Sequence, residues 1–272
     1  MPTLGTEIFA DGFGVHAGGG AFITAAHLAQ LGHPSSLAAM LPAPPFNELV
    51  RPDLEASRVD LSLCAPLSAS ESPQITVAMG HDADRSFLTR RAGPAFRKIS
   101  AADIARRHFK HVHIGEAASL IAHPDIVPAA RSQGATISLD CGWDDDLDPR
   151  SLEPFCGMID VFLPNATEMN TVRATGLGDK LAPITVVKQG AAGAALLSPD
   201  GPLTVPGAQT DVLDSTGAGD AFNAGFLSCW LTGAPLHACL EAGNQRGALA
   251  VRTRGGFSAA ATHVPELNVA GE

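Results

Sequence analysis

The sequence predicts an α/β fold with three layers: a mostly parallel sheet with helices on both faces, plus a small antiparallel β lid. From about residue 111 onward, short apolar runs alternate with helical segments. Uniformly apolar runs are typical of strands that a parallel sheet buries on both faces. The first hundred residues differ, because two segments there carry the two-residue period and the turn residues of antiparallel strands.

Length and charge limit the classes of protein that this chain can belong to. Its 272 residues suffice for one large domain or a core with a small appendage. Eighteen Lys and Arg against 28 Asp and Glu give a net charge of −10, which argues against a nucleic-acid-binding or anionic-membrane surface. We therefore expect any anionic ligand to be bound locally, by backbone amides, a few cations and a metal ion.

The N-terminal part is predicted to contain one helix and the lid. Residues 19–31 form a small-residue helix that ends at Gly32. Residues 7–18 and 72–93 have the pattern of antiparallel strands, with residues 81–84 as a hairpin tip, and the two segments could pair as an accessory sheet. We accordingly assign residues 17–57 and 97–272 to the core, and residues 1–16 and 58–96 to the lid.

The rest of the chain is predicted to alternate strand and helix. Strands are expected at residues 111–115, 135–140, 160–164 and 184–188, with helices at 124–133 and 167–175 that end at Gly134 and Gly176. Parallel sheets bind ligands at the carboxyl ends of their strands. The polar residues that close or follow these strands are Glu116, Asp140, Asn165 and Lys188.

The segment DSTGAGD at residues 214–220 is the most informative feature of the sequence. Its glycines, Gly217 and Gly219, allow a tight turn that points several N–H groups at one place, where a helix begins with its positive dipole end. Asp220 falls in the first helical turn, where its ionised form is stabilised and can accept a hydroxyl proton. An anion hole beside a base indicates phosphoryl transfer to an alcohol.

Other phosphate-binding, metal-binding and disulfide-bonded classes do not fit the pattern. No glycine is followed by Lys and then Ser or Thr, which excludes a Walker loop, and the glycines of residues 12–20 do not give G-x-G-x-x-G after a strand. The histidines lack a zinc-site spacing, and the acidic run at Asp144, Asp145, Asp146 and Asp148 is expected to be a solvated loop. The five cysteines form no C-x-x-C pair, and no signal peptide or membrane span appears, so we expect a cytoplasmic protein with reduced thiols.

Four segments together resemble the ribokinase-like (PfkB) carbohydrate kinase family. They are AGGGAFITAAHLAQLG at residues 17–32, LPNATE at 163–168, VVKQGAAGA at 186–194 and DSTGAGDAFNAGF at 214–226. Their order matches the glycine motif, the N-x-x-E motif, the nucleotide-side turn and the C-terminal signature of that family. The resemblance implies a ribokinase-like fold and an ATP- and Mg²⁺-dependent kinase that acts on a hydroxyl of a sugar or sugar acid.

The resemblance also implies roles for individual residues. Asp220 would be the catalytic base, with Gly217, Ala218 and Gly219 as anion-hole amides. Asn165 and Glu168 would hold Mg²⁺ through water, and Asp214 and Thr216, with backbone of residues 254–258, would bind a monovalent cation such as K⁺. The expected ATP contacts are Asn165, Lys188, Gly190, Gly193, Asn244 and Gly247; the expected substrate contacts are Gly18, Gly19, Glu116 and Asp220.

Two departures from the family concern the substrate side. The usual asparagine after the glycine pair is Ile23, which cannot bond a hydroxyl and favours an apolar ligand face. The family normally begins with a buried strand that carries a substrate-binding aspartate, and the resemblance starts after it. A mis-assigned start codon or a truncated chain is the expected explanation.

Several alternatives remain open from the sequence. The chain could be a non-catalytic nucleotide- or metabolite-binding regulator, or a nucleoside kinase of the same family. Asn165 and Glu168 fit a helix capping box equally well, Lys188 fits a strand-end cation, Asn244 a satisfied polar residue, and Asp214 a turn cap. The lid could pair with that of a second copy in a homodimer.

Overall fold

The computed structural model describes residues 5, 7, 9, 12–68, 70–81, 84–90, 99–142, 147–178, 181–199 and 201–258. In these residues the helices are α1 (Gly20–Gln30), α2 (Phe46–Ser57), α3 (Ala101–Arg107), α4 (Ala117–Ala122), α5 (Ile126–Ser132), α6 (Ala166–Ala174), α7 (Ala218–Leu231) and α8 (Leu236–Ala250). The strands are β1 (Met40–Leu41), β2 (Ala65–Pro66), β3 (Ile75–His81), β4 (Asp84–Arg90), β5 (His111–Ile114), β6 (Thr136–Leu139), β7 (Val161–Phe162), β8 (Ile184–Lys188), β9 (Ala194–Leu196) and β10 (Leu203–Val205). None of the described helices is long and apolar enough to cross a bilayer.

The main sheet has six strands in the order β10-β9-β8-β7-β6-β5. Strands β5 to β8 are parallel, while β9 and β10 are antiparallel to their neighbours. The four predicted strands and two predicted helices of this region are all present, with ends that differ by a few residues. Because the parallel strands share one direction, the polar residues that follow β5 to β8 meet at one edge of the sheet.

The sheet is covered on both faces, as a three-layer fold requires. Val161 and Phe162 are neighbours in β7 and both fully buried, yet they face opposite sides. Phe162 packs in a cluster with α3, α4, α5 and α6, and Val161 packs in a second cluster with α1, α7 and α8. The predicted α/β architecture is therefore confirmed.

The predicted lid is confirmed only in its hairpin. Strands β3 and β4 pair in antiparallel register, with tip residues 82 and 83 outside the described residues. The proposed partner segment forms no strand over residues 12–18, and most of residues 1–11 lie outside the described residues. Within the segment assigned to the lid, β2 pairs with β1 and Val59 packs in the same cluster as α1, so this part lies against the core. The division into core and lid stays a prediction.

Candidate active site

The turn before α7 has the geometry that an anion hole needs. Gly217 is its N-cap, with φ 71°, and a Cβ there would lie 2.8 Å from Gly256 Cα, so only glycine fits. The amide of Ala218 donates to Ser215 O at 3.3 Å and is thus partly used. Within the described residues, the amides of Gly219 and Asp220 have no protein acceptor and remain available to an anion.

Asp220 lies where two helices begin. Its own helix, α7, starts two residues earlier, and a Cβ on Gly20, the first residue of α1, would lie 2.6 Å from Asp220 Oδ1. The Thr24 hydroxyl donates to the backbone oxygen of Asp220 at 3.1 Å and ties α1 to α7. Loss of water around the carboxylate, and then the nearby charge of Asp140, raise the pKa of Asp220 to about 7. Such a carboxyl can act as a base near neutral pH.

A buried ion pair lies beside this turn. Lys188, at the end of β8, donates from Nζ to Asp140 Oδ2 at 2.6 Å and to Asn223 Oδ1 at 3.2 Å. The side chains of Lys188 and Asp140 are 11% and 8% exposed, and the Asn223 amide also donates to Asp140. A Cβ on Gly219 would lie 3.4 Å from Lys188 Nζ, so the ammonium lies close to the anion hole. Its charge opposes the rise in the pKa of Asp220.

Asn223 completes this site and was missed from the sequence. It lies three residues after Asp220, on the buried side of α7, and is fully buried. The only signal was a polar residue inside the apolar segment AFNAGF. Asp140 was noted as a strand-end carboxylate without a role, because nothing local shows that it pairs with a lysine 48 residues away.

Asn165 and Glu168 form the capping box that was the alternative to a metal site. The Glu168 amide donates to Asn165 Oδ1 at 2.9 Å, and the Asn165 amide donates to Glu168 Oε2 at 2.7 Å. Both residues line the same cleft as Asp220. A carboxylate and an amide oxygen are hard donors that suit a hydrated Mg²⁺, so the cap and a water-mediated metal contact are compatible.

The expected nucleotide residues have structural partners. The Asn244 side-chain amide donates to Val205 O at 3.1 Å and Pro206 O at 3.0 Å and so holds the end of β10, while its contact with ATP stays a prediction. A Cβ on Gly193 would lie 2.1 Å from Val205 O, and one on Gly247 would lie 3.2 Å from Ala218 O. These glycines, with Gly190, line the cleft through their backbone.

Sequence reasoning missed the exposed apolar pair Val212 and Leu213 before the turn.

Ile23 does not offer an apolar face to a ligand, contrary to the expectation from its position. It is 3% exposed, and its Cδ1 would lie 3.0 Å from a Cβ on Gly217 and 3.1 Å from one on Gly256. The side chain therefore fills the space beneath the turn. This packing explains why an apolar residue is tolerated there.

The residues expected to contact the substrate lie in the same cleft as Asp220. Gly18, Gly19 and Glu116 line it together with Ser119, whose hydroxyl donates to Glu116 Oε1 at 2.7 Å. Asp53 accepts from the Ala17 amide at 2.8 Å and thereby holds the approach to α1.

Asp214 holds the turn to a second loop. Its Oδ1 accepts from the Thr216 amide at 2.9 Å and hydroxyl at 2.6 Å, and its Oδ2 accepts from the Gly255 amide at 3.0 Å. Asp214 thus acts as a turn cap, and its role as a cation ligand stays a prediction.

A family model and two sequence relatives match most of the chain. The family model described as pfkB family carbohydrate kinase matches residues 6–262. The chain is 30% identical over 261 residues to an ATP-dependent ribose-1-phosphate kinase of Halopiger xanaduensis, covering 89% of this chain and 82% of that protein. It is 27% identical over 244 residues to a fructokinase of Rhizobium leguminosarum bv. trifolii, covering 82% and 74%.

Solved structures share the fold. A putative ribokinase II from E. coli in complex with ATP and Mg²⁺ has a TM-score of 0.76 at 23% identity, covering 94% of this chain and 90% of that one. Ribokinase of Arabidopsis thaliana, complexed with ribose and ATP, has a TM-score of 0.75 at 22% identity, covering 96% and 89%.

Proposed function

The chain belongs to the pfkB family of carbohydrate kinases, and on this premise we propose that it transfers the γ-phosphoryl group of ATP to a hydroxyl of a sugar or sugar acid, with Asp220 as general base. One observation carries this proposal: the Asp220 carboxylate, with its raised pKa, lies beside two unoccupied backbone amides where α1 and α7 begin. A base and an anion hole within one helical turn are what phosphoryl transfer to an alcohol requires.

The proposed reaction uses these groups in one step. The acceptor oxygen forms a bond to the γ-phosphorus as the bond to the β-phosphate oxygen breaks, and the hydroxyl proton passes to Asp220. The amides of Gly219 and Asp220 stabilise the charge on the equatorial oxygens, aided by the nearby Lys188 ammonium. Asn165 and Glu168 would hold Mg²⁺ through water, which supplies further charge neutralisation, and K⁺ at Asp214 and Thr216 is part of the same proposal.

Glu116 on the proposed acceptor side favours a polyhydroxyl substrate. Carboxylates such as Glu116 only accept hydrogen bonds when ionised, which suits sugar hydroxyls and disfavours a second anion at the same place. Among relatives, the printed activities are ribose-1-phosphate kinase, fructokinase and aminoimidazole riboside kinase. We therefore rank neutral sugars first, then ribosides, then sugar phosphates and sugar acids. A non-catalytic regulator is the second candidate, motivated by Ile23 at the position of a hydroxyl-binding residue.

An acceptor panel tests this function. We expect ADP formation that depends on one neutral sugar or riboside, with a turnover of about 1–100 s⁻¹. Glu116→Gln should raise KM for that acceptor at least about tenfold while changing KM for ATP less than about twofold, since a bond to a charged group contributes about 1.5–3 kcal/mol. Ser132→Ala, on the exposed end of α5, is the matched control. No acceptor-dependent ADP across the panel would favour the regulator.

The β3–β4 hairpin is proposed to serve as a dimer interface. The hairpin exposes three large apolar side chains, Val77, Phe87 and Leu88, which are 47%, 49% and 66% exposed. Exposed apolar side chains grouped on one element are typical of a protein–protein interface. We expect light scattering to give twice the chain mass, and Leu88→Lys to shift it toward the monomer. A monomeric mass for the wild type at micromolar concentration would contradict the dimer.

A cytoplasmic location is also proposed, supported by ATP use and by five free cysteines.

A further inference from the structure

A glycine loop lies directly on the anion-hole turn. A Cβ on Gly256, whose φ is 74°, would lie 2.9 Å from Thr216 O and 3.0 Å from Gly217 Cα. The backbone of Gly256 therefore packs directly against the backbone of the turn. Asp214 joins the same two segments through the Gly255 amide.

Gly256 is itself held by a buried histidine of α1. His27 is fully buried, and its Nε2 lies 2.9 Å from Gly256 O. Its Nδ1 accepts from Arg246 Nε at 2.8 Å. Because a guanidinium only donates, Nδ1 must carry the lone pair and Nε2 the hydrogen, which is donated to Gly256 O. The tautomer of His27 is thus fixed by its two partners.

Arg246, from α8, completes this arrangement at an energetic cost. It is 3% exposed, and its described partners are neutral: His27 Nδ1 and Gln30 Oε1. Gln30 in turn donates to Ser258 O at 3.0 Å. Burying a guanidinium without a carboxylate partner is unfavourable, although the carbonyl end of α1 at Gln30 offsets part of the cost. An apolar residue would fill the same space at a lower free-energy cost of burial, so stability alone does not account for Arg246.

We propose that His27 and Arg246 are positioning residues that hold Gly256 against Gly217 and thereby fix the anion-hole amides for phosphoryl transfer. This inference rests on the proposed role of the turn. The contact chain runs from Arg246 to His27, then to Gly256 O, and from the Gly256 backbone to the turn. Displacing catalytic groups by about 1 Å can cost about 100-fold in rate.

His27→Phe and His27→Gln test the proposal as a pair. Phe keeps an aromatic ring against Phe257 but removes both hydrogen-bonding groups, while Gln retains an acceptor and a donor. We expect His27→Phe to lower kcat at least about tenfold, with KM for the acceptor within about twofold of wild type. His27→Gln should have a kcat within about threefold of wild type. The matched control is His33→Phe, which removes a bond to Ser228 Oγ at 2.8 Å away from the turn and should leave kcat unchanged.

Three outcomes would overturn the proposal. They are a kcat within twofold of wild type for folded His27→Phe, equal loss in the Phe and Gln variants, or loss in the His33 control. If circular dichroism shows that His27→Phe is unfolded, Arg246→Lys serves as the test, because a lysine cannot bridge His27 and Gln30. A lower kcat at unchanged KM in Arg246→Lys supports the proposal. An unchanged kcat overturns it. Failure of the proposed function is distinct, since the wild type itself would then form no acceptor-dependent ADP.

Discussion

Asp220→Asn is expected to lower kcat by about 10³-fold or more, while leaving the affinity for ATP within a few-fold. The amide keeps the shape of the side chain but cannot take the proton from the acceptor hydroxyl, and general bases contribute about 10² to 10⁴ in rate. Stopped-time ADP assays give kcat, and calorimetric titration gives the ATP affinity. The pH profile provides a second readout: wild-type kcat/KM should fall as pH drops through about 7, where Asp220 becomes protonated, and the residual activity of the variant should lack that inflection.

Stability measurements separate loss of the base from loss of the fold. The pKa of Asp220 is raised from 3.8 to about 7, so its ionised form destabilises the folded state; this cost grows as pH rises from about 4 to about 7 and is fully present above 7. Asp220→Asn removes the cost. It should therefore unfold at the same or a higher temperature than wild type at pH 8. Near-normal turnover in the variant would contradict the assignment of Asp220 as base.

Lys188→Met is expected to have the second-largest effect. It leaves the Asp140 carboxylate buried without its cation, and breaking a buried pair in this way costs about 3–5 kcal/mol of unfolding free energy. The lost ammonium is also the charge that opposes the rise in the pKa of Asp220, and it lies beside the anion hole. We expect kcat to fall at least about 100-fold at neutral pH, with urea denaturation reporting the loss of stability.

The double variant Asp140→Asn with Lys188→Met separates these two effects. Removing both charges should recover most of the unfolding free energy, because no uncompensated charge remains buried. Activity should stay low, since the ammonium beside Gly219 is still missing. Equal stability of the single and double variants would show that the pair is not energetically coupled, and wild-type turnover in either would exclude a role in catalysis.

Local patterns predicted most of the fold and the centre of the site. The buried strands could be predicted because each is a short apolar run. The DSTGAGD turn could be predicted because glycines and an aspartate at the start of a helix are typical of an anion-binding turn. Asn165 and Glu168 show the limit of this reasoning, because the same four-residue motif encodes a capping box and a metal site. The structure shows the cap, and the metal role stays a prediction.

Interactions between distant segments could not be predicted. His27 and Arg246 are 219 residues apart, and Asn223 and Asp140 are 83 apart, so no periodicity relates them. The packing of Ile23 could not be predicted for the same reason, because its side chain lies beneath a turn near residue 217. Asn244 bonds the end of β10, and its contact with ATP stays a prediction. Side chains that hold elements together resemble ligand contacts until the packing is known.

The most direct test of the account is to follow the phosphorus during turnover. Phosphorus NMR on wild type with ATP, Mg²⁺ and the best acceptor of the panel should show a sugar phosphate ester and ADP appearing in equal amounts. Asp220→Asn under the same conditions should show neither on that timescale. Inorganic phosphate in place of the ester, or equal rates for the two proteins, would contradict phosphoryl transfer to a sugar hydroxyl with Asp220 as base.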